Sequence, residues 1–198
     1  MCRRYSYVIL VFLAIALCSC MVPVELGSRF TDSIGLKFGA PLCRYQVVSL
    51  VDARYEKLSL GKIAGRPVQC KHIEEWIGDG LESIHLSGKV PQEPVQHIIQ
   101  FEVLIKKVHG KSSSTSMSFN LVLELRYMVE GREFKRKVYR GCFTTINWIS
   151  GDVEIKYGFN KALKRALVQI KKDLNATCDD INAKGKNLGS KSSGDKDK

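Results

Sequence analysis

The chain has 198 residues, 44% hydrophobic and 26% charged, the balance of an ordinary globular protein, which excludes a collagen-like or wholly disordered chain. That length suits one domain. Thirty-one Lys and Arg against twenty Asp and Glu give a formal charge of +11, and where the excess lies decides what it implies.

Residues 1–20 begin with a cationic Arg3-Arg4 pair and continue as an uncharged apolar run, Tyr5 to Cys18. This is a secretory signal pattern. At 14 residues the run is shorter than the roughly 20 that a spanning helix needs. Its end, Leu17-Cys18-Ser19-Cys20, resembles a bacterial lipobox, with a hydrophobic residue three places before the cysteine and a small one just before it. The resemblance implies a signal peptide over 1–19, attachment of diacylglycerol to the Cys20 thiol, and acylation (palmitate-type chains) of the new amino terminus. Two or three acyl chains anchor stably, since each buried CH₂ contributes about 0.8 kcal/mol. Met21 follows Cys20, whereas an inner-membrane retention signal usually has Asp there, so the expected address is the outer membrane, facing the periplasm.

Without residues 1–19 the charge falls to +9, and the five lysines and two aspartates of residues 184–198 carry +3 of that. Almost nothing there is apolar, so residues 179–198 are expected to form a disordered basic tail. Residues 20–43, with Pro23, Gly27, Gly35, Gly39 and Pro41 and no sustained period, are expected to be a flexible tether. One domain, 44–178, lies between.

Within it, Arg44–Asp52 is a β-branched run that reads as a buried strand. Tyr55–Pro67, punctuated by Gly61 and Gly65, reads as an irregular loop. Ile73, Ile77, Leu81 and Ile84 form one stripe of a helix over 72–84, which Gly78 and Gly80 weaken by about 1 kcal/mol each relative to Ala. Ile99–Ile105 and Phe119–Tyr127 alternate apolar and polar residues, as strands covered on one face do. The turn at Glu130-Gly131 leads from the second into Arg132–Phe143, and Gly110–Ser116 reads as a flexible Ser-rich connection. A helix from Asp152 to about Leu174 carries Ile155, Phe159, Ala162, Leu163, Ala166, Leu167, Ile170 and Leu174 on one face. The expected fold is α+β: an antiparallel sheet of about four strands with two helices on one face, in the order βαβββα.

Val51-Asp-Ala-Arg54, Glu75-Trp-Ile-Gly-Asp-Gly-Leu81, the long hairpin, Phe159-Asn-Lys-Ala-Leu163 and Lys172-Asp-Leu174 together resemble the YajG-type bacterial lipoproteins over residues 44–175. That family is similar in architecture to auxiliary lipoproteins of envelope transporters, including the lipoprotein partner of the lipopolysaccharide export pore. The resemblance implies an accessory role by analogy of fold.

Chemistry is sparse. None of His72, His85, His97 and His109 has a second His at zinc-binding spacing, and Cys70-Lys-His72 with Glu74 and Glu75 is not a recognised ligand set, so no metal or cofactor is expected. Gly110-Lys111-Ser112 mimics only the end of a phosphate-binding loop. There is no Gly-x-Ser-x-Gly elbow. Asp52, Arg54 and Glu56 read as a solvated corner with an Asp–Arg pair, or as a polar site. Arg132, Lys135, Arg136, Lys137 and Arg140 make the hairpin basic, either as charge protecting an edge strand, the reading that takes precedence, or as a surface for an acidic partner or lipid, with Arg132, Lys135 and Lys137 as its candidates. Nucleic acid is not expected at this address. Cys43, Cys70, Cys142 and Cys178 allow three full disulfide pairings, and Asn175-Ala-Thr177 is a glycosylation sequon relevant only in a eukaryotic source. The leading expectation is a noncatalytic, lipid-anchored envelope protein that binds or braces a protein partner. The alternative is a carrier that takes an amphiphile between sheet and helices; an enzyme would need a convergent titratable set that the sequence does not supply.

Overall fold

The computed structural model describes residues 23–27, 29–30, 43–84, 97–129, 131–146 and 151–189. The signal segment and Cys20 lie outside them. The elements are β1 (Val24–Glu25), β2 (Cys43–Asp52), β3 (Ser59–Ile63), β4 (Arg66–Gln69), α1 (Ile73–Glu82), β5 (His97–Ser112), β6 (Ser116–Val129), β7 (Arg132–Ile146) and α2 (Asp152–Gly189). The strands form one seven-stranded sheet in the order β1-β4-β3-β5-β6-β7, with β2 also paired to β5.

The expected four-stranded antiparallel sheet is therefore corrected to a mixed sheet of seven strands. β1 with β4, β2 with β5 and β3 with β5 run parallel; β3–β4, β5–β6 and β6–β7 run antiparallel. Alternation along β5 and β6 reveals that one face is covered, but it carries no sign of strand direction. The direction of β2 follows from its connection to β5, which passes through β3, β4 and α1, and parallel neighbours require such a crossover. The Gly61 and Gly65 signals that suggested a loop belong instead to the short β3–β4 hairpin, where both take positive φ, 97° and 77°. The Ser-rich connection is likewise tight, since Ser113 N–H donates to the Ser116 carbonyl at 2.8 Å and β5 and β6 run up to it on both sides.

On the covered face, Ile99, Phe101, Val103 and Ile105 of β5 meet Phe119, Leu121, Leu123, Leu125 and Tyr127 of β6, all of them buried. The apolar stripe of α2 packs over them, with Phe159 edge-to-face on Phe119 at 5.0 Å between centroids. Helix α1 docks beside α2 through Trp76, whose indole N–H donates to Asn160 Oδ1 at 2.8 Å, and through Gly80. A Cβ there would stand 2.9 Å from Leu163 Cδ2 and 3.1 Å from Leu167 Cδ1, so the glycine that weakens the isolated helix is the point where the two helices meet. Similarly, a Cβ at Gly141 of β7 would lie 1.9 Å from the Ala162 carbonyl oxygen. Asp152 and Glu154 occupy the first turn of α2, where acids complement the helix dipole.

Two boundaries move. Val24 and Leu26 are buried and Phe30 packs on the core, within the segment expected to be a tether. Helix α2 continues to Gly189, well into the segment whose composition suggested a disordered tail. Once a helix is nucleated by packing, adding residues costs little.

Candidate functional site

Strand β7 is the edge of the sheet among the described residues, and two of its candidate residues, the half-buried Lys135 and the exposed Lys137, reach one carboxylate. Asp173 of α2 accepts Tyr127 Oη at 2.9 Å, Tyr139 Oη at 2.5 Å and Lys137 Nζ at 2.6 Å, and it pairs with Lys135 Nζ at 2.9 Å. The Tyr127 and Tyr139 hydroxyl oxygens also lie against each other, and with one proton on each phenol the two protons are shared among this contact and the two to Asp173. Lys135 reaches Thr177 Oγ1 at 2.8 Å and lies over the Tyr127 ring, 4.9 Å from its centroid. Side chains longer than the sheet–helix gap bring their charged ends to its rim while their stems stay against the aromatic rings.

Burial alone would raise the Asp173 pKa, but hydrogen bonds from Lys137, Tyr139, Lys135 and Tyr127 outweigh it and hold the carboxyl well below the usual carboxylate range. Burial pushes Tyr127 and Tyr139 far up, and the neighbouring carboxylate adds to the rise. Both phenols therefore stay protonated donors. The cluster is a polar lock between β6, β7 and α2.

Arg132, the third candidate, is exposed at the start of β7, apart from this lock. Arg136 forks onto Glu133 at 3.0 and 3.1 Å. Arg140 is exposed, and its carbonyl accepts Gln169 Nε2 at 2.8 Å. The hairpin's positive charge thus divides into two lysines paired with Asp173, an Arg136 paired with Glu133, and the exposed Arg132 and Arg140. Periodicity groups these residues on one strand; it does not reveal that Lys135 and Lys137 share an acid 36 or more residues away. The one available signal was Asp173, the single acid in the basic run 171–173.

The Asp52–Arg54 pair forms, but it is buried, at 8% and 6% exposure, and the expected solvated corner is corrected. Arg54 Nε and Nη2 donate to the two Asp52 carboxylate oxygens at 2.8 Å each. Its guanidinium also donates to the carbonyls of Ser59, at 3.3 Å, and Lys57. Burial of Asp52 raises its pKa, yet the Arg54 hydrogen bonds and charge bring it below the ordinary value. β2 and β3 lie end to end along the same side of β5, at residues 97–105 and 110–111. The pair bolts the loop between them, and its geometry is structural.

His72 Nδ1 lies 3.0 Å from Glu75 Oε1 at the surface. Burial, with Lys107 and Lys111 nearby, lowers the His109 pKa, and its ring packs where a Gly61 Cβ would be. The side chains of His85 and His97 lie outside the described residues. Among the described residues, no group of three or more His, Cys, Asp or Glu is set to hold a metal, and no helix is long and apolar enough to cross a membrane. Cys178 is disulfide-bonded, whereas Cys70 and Cys142 are free, so none of the three full pairings of the four cysteines holds.

No family profile and no curated protein matches the chain. Among solved structures it is similar to a bacterial protein described as a candidate lipoprotein, from Caulobacter crescentus CB15, at 14% identity and TM-score 0.36 over 52% of this chain and 76% of that one. It is also similar to a Xanthomonas campestris protein of the DUF330 family, at 11% identity and TM-score 0.43 over 82% and 98%. A third likeness is to a Helicobacter pylori protein described as a homolog of a neuraminyllactose-binding hemagglutinin, at 12% identity and TM-score 0.37 over 77% and 97%. Likeness of this size establishes neither a shared fold nor a shared function.

Proposed function

We propose that this chain is a noncatalytic bacterial envelope lipoprotein of YajG type, anchored through Cys20 in the outer membrane with its domain in the periplasm, and that it acts as an accessory by touching an envelope protein. The observation that carries the reading is the lipobox-like Leu17-Cys18-Ser19-Cys20 standing directly before the point where the chain joins the fold. Val24 is fully buried, and four residues span at most about 14 Å. The acylated cysteine would hold the β1 edge close to the headgroups, without a long leash.

In this reading β7, five strand spacings from β1 in the sheet order, lies about 24 Å away across the sheet. That exceeds the roughly 8–10 Å over which salt screens exposed charges, so a protein partner suits the β7 surface better than lipid headgroups do. The polar clusters of Asp173 and Asp52 support the noncatalytic reading, because each serves to join elements. The interior between sheet and helices is filled by Phe101, Phe119, Leu125, Phe159 and Leu167, each at 0–1% exposure, which favours an adaptor over an amphiphile carrier.

The test is crosslinking of the full chain in its own envelope. Arg132→Glu with Arg140→Glu reverses the exposed charges and spares the Asp173 lock. Crosslinks to a protein should fall at least tenfold, and added salt should weaken them in the wild type. Unchanged crosslinks in the double variant, or turnover of a substrate by the purified chain, would contradict the reading.

A further inference from the structure

The chain enters the fold at a definable end. β1 runs parallel to β4, with Val24 opposite Val68, so it arrives at β1 from the side of Arg66 and leaves toward α1, where the Phe30 N–H donates to Asp79 Oδ2 at 3.1 Å. Arg66 pairs with Asp152, in the first turn of α2, at 2.8 Å. The Ala64 N–H donates to Ser112 Oγ at 2.7 Å, and Ser116, across the tight Ser-rich turn, stands opposite Ile146, the last residue of β7. The β3–β4 turn, the β5–β6 turn, the end of β7 and the start of α2 therefore make up one end of the domain, the end from which β1 is reached. Among the described residues, the large apolar side chains that are more than half exposed fall in two places. Tyr55 and Leu58 share the loop between β2 and β3; Val153, Ile146 and Tyr157, at 80%, 59% and 51% exposure, lie at this end. Val153 and Tyr157 are one turn apart on the outer side of α2. Tyr139 and Gly141 of β7 face α2, and alternation puts Ile146 on the other face of the sheet, so apolar side chains flank the end on both sides.

Cations stand among them. The exposed Lys62 and Lys111 are side by side on neighbouring strands, a placement of like charges that costs stability on its own and suits an anionic surface. Their row continues through Ser118 and Thr144 without an acid, and Lys156 is exposed between Val153 and Tyr157 on α2. The acids at this end are engaged within the fold: Asp152 holds Arg66, and Glu154 Oε2 accepts the Gly151 N–H at 3.3 Å. We propose that this end of the domain rests on the surface of an anionic bilayer, with Val153, Tyr157 and Ile146 at the level of the headgroups and Lys62, Lys111 and Lys156 among their phosphates. Tyrosines with one apolar and one polar end favour that level, and each cation near an anionic leaflet adds about 1 kcal/mol. The anchored reading, on which this inference rests, supplies the occupant. Pro23 follows Cys20 by three residues, a reach of roughly 10 Å, so acyl chains on Cys20 would enter the bilayer beside this end. Arg140 is six residues back along β7 from Ile146, about 20 Å, beyond the screening length, which leaves the exposed arginines clear of the headgroups and open to a protein.

The full chain, isolated from its envelope, should be reconstituted into vesicles of phosphatidylethanolamine mixed with either phosphatidylglycerol or phosphatidylcholine, each doped with a phospholipid bearing a diazirine at the top of its acyl chain. After irradiation, mass spectrometry of the chain that floats with the vesicles should find adducts on Ile146, Val153 and Tyr157 at least tenfold more often than on Tyr55, Leu58 and Val138. Ile146→Asp with Val153→Asp, both at the surface, should cut the adducts on Tyr157 at least tenfold while the chain still floats. Lys62→Glu with Lys111→Glu should lower them severalfold on phosphatidylglycerol vesicles and leave them unchanged on phosphatidylcholine ones, and this variant serves if the first folds poorly. A chain that floats but takes its adducts evenly over the surface, or on Tyr55 and Leu58, overturns this orientation and leaves the anchor standing, as do adducts that survive both variants. A chain that carries no fatty acid and does not float overturns the anchored reading and this one with it.

Discussion

Asp173 is the residue on which the junction of hairpin and last helix depends most. Its carboxyl is held below the ordinary range in the fold, so its contribution is complete above its unfolded pKa of about 3.9 and is lost as pH falls toward the folded value. Asp173→Asn should cost about 1–3 kcal/mol at neutral pH, the range for breaking a charged hydrogen-bond set at a partly exposed rim. It should also flatten the decline of melting temperature below about pH 4. Thermal unfolding monitored down the pH series checks both, and a wild-type decline retained in the variant would remove Asp173 from the acid response. Arg54 makes the sharper case for burial. Arg54→Ala leaves Asp52 inside without its counter-charge, and loss of one member of a buried pair costs about 3–5 kcal/mol. Denaturant midpoints measure that loss; a cost below about 1 kcal/mol, the range of a surface ion pair, would mean that the corner is solvated after all.

At the scale of elements, small residues decide where the long helix can lie. Helix α2 crosses β7 at Gly141, where any Cβ would collide with the Ala162 carbonyl. Backbone cannot swing aside as a side chain can, so Gly141→Ala should cost about 3 kcal/mol, the upper part of the range for overpacking. Phe159→Ala should cost about 3–5 kcal/mol by leaving a cavity. Calorimetry on the two variants checks both costs, and a silent Gly141→Ala would mean that α2 sits farther from the sheet.

The same elements show what the sequence makes legible. The buried stripe of α2 and the alternation of Phe119 to Tyr127 could be read directly, because a period reports which side of one element is covered. Strand β1 could not, being two residues whose only signal is the buried Val24 and its partner Val68. Nor could the parallel setting of β2, which depends on the path of the chain through α1. The lock at Asp173 was partly within reach: Tyr127 and Lys135 are cross-strand partners, but which helical acid they meet depends on where α2 lies over the sheet. Gly80 reads as a weak point in a helix until Leu163 and Leu167 are set against it.

For the whole molecule, the proposed function needs an anchor at Cys20 on one side of the sheet and a contact surface on the other. If Cys20 is acylated as proposed, burial of Val24 and Leu26 would place the anchor close to the fold, as a mount and not a leash. The sheet order separates β1 from β7, and so from its exposed arginines, by the width of the sheet. Metabolic labelling with a radioactive fatty acid, followed by fractionation of the envelope, tests the central claim most directly. Wild-type chain should carry the label and sediment with membranes, and Cys20→Ser should lose the label and remain uncleaved or leave the outer-membrane fraction. Equal labelling of wild type and Cys20→Ser, or an unlabelled wild-type chain, would contradict the account.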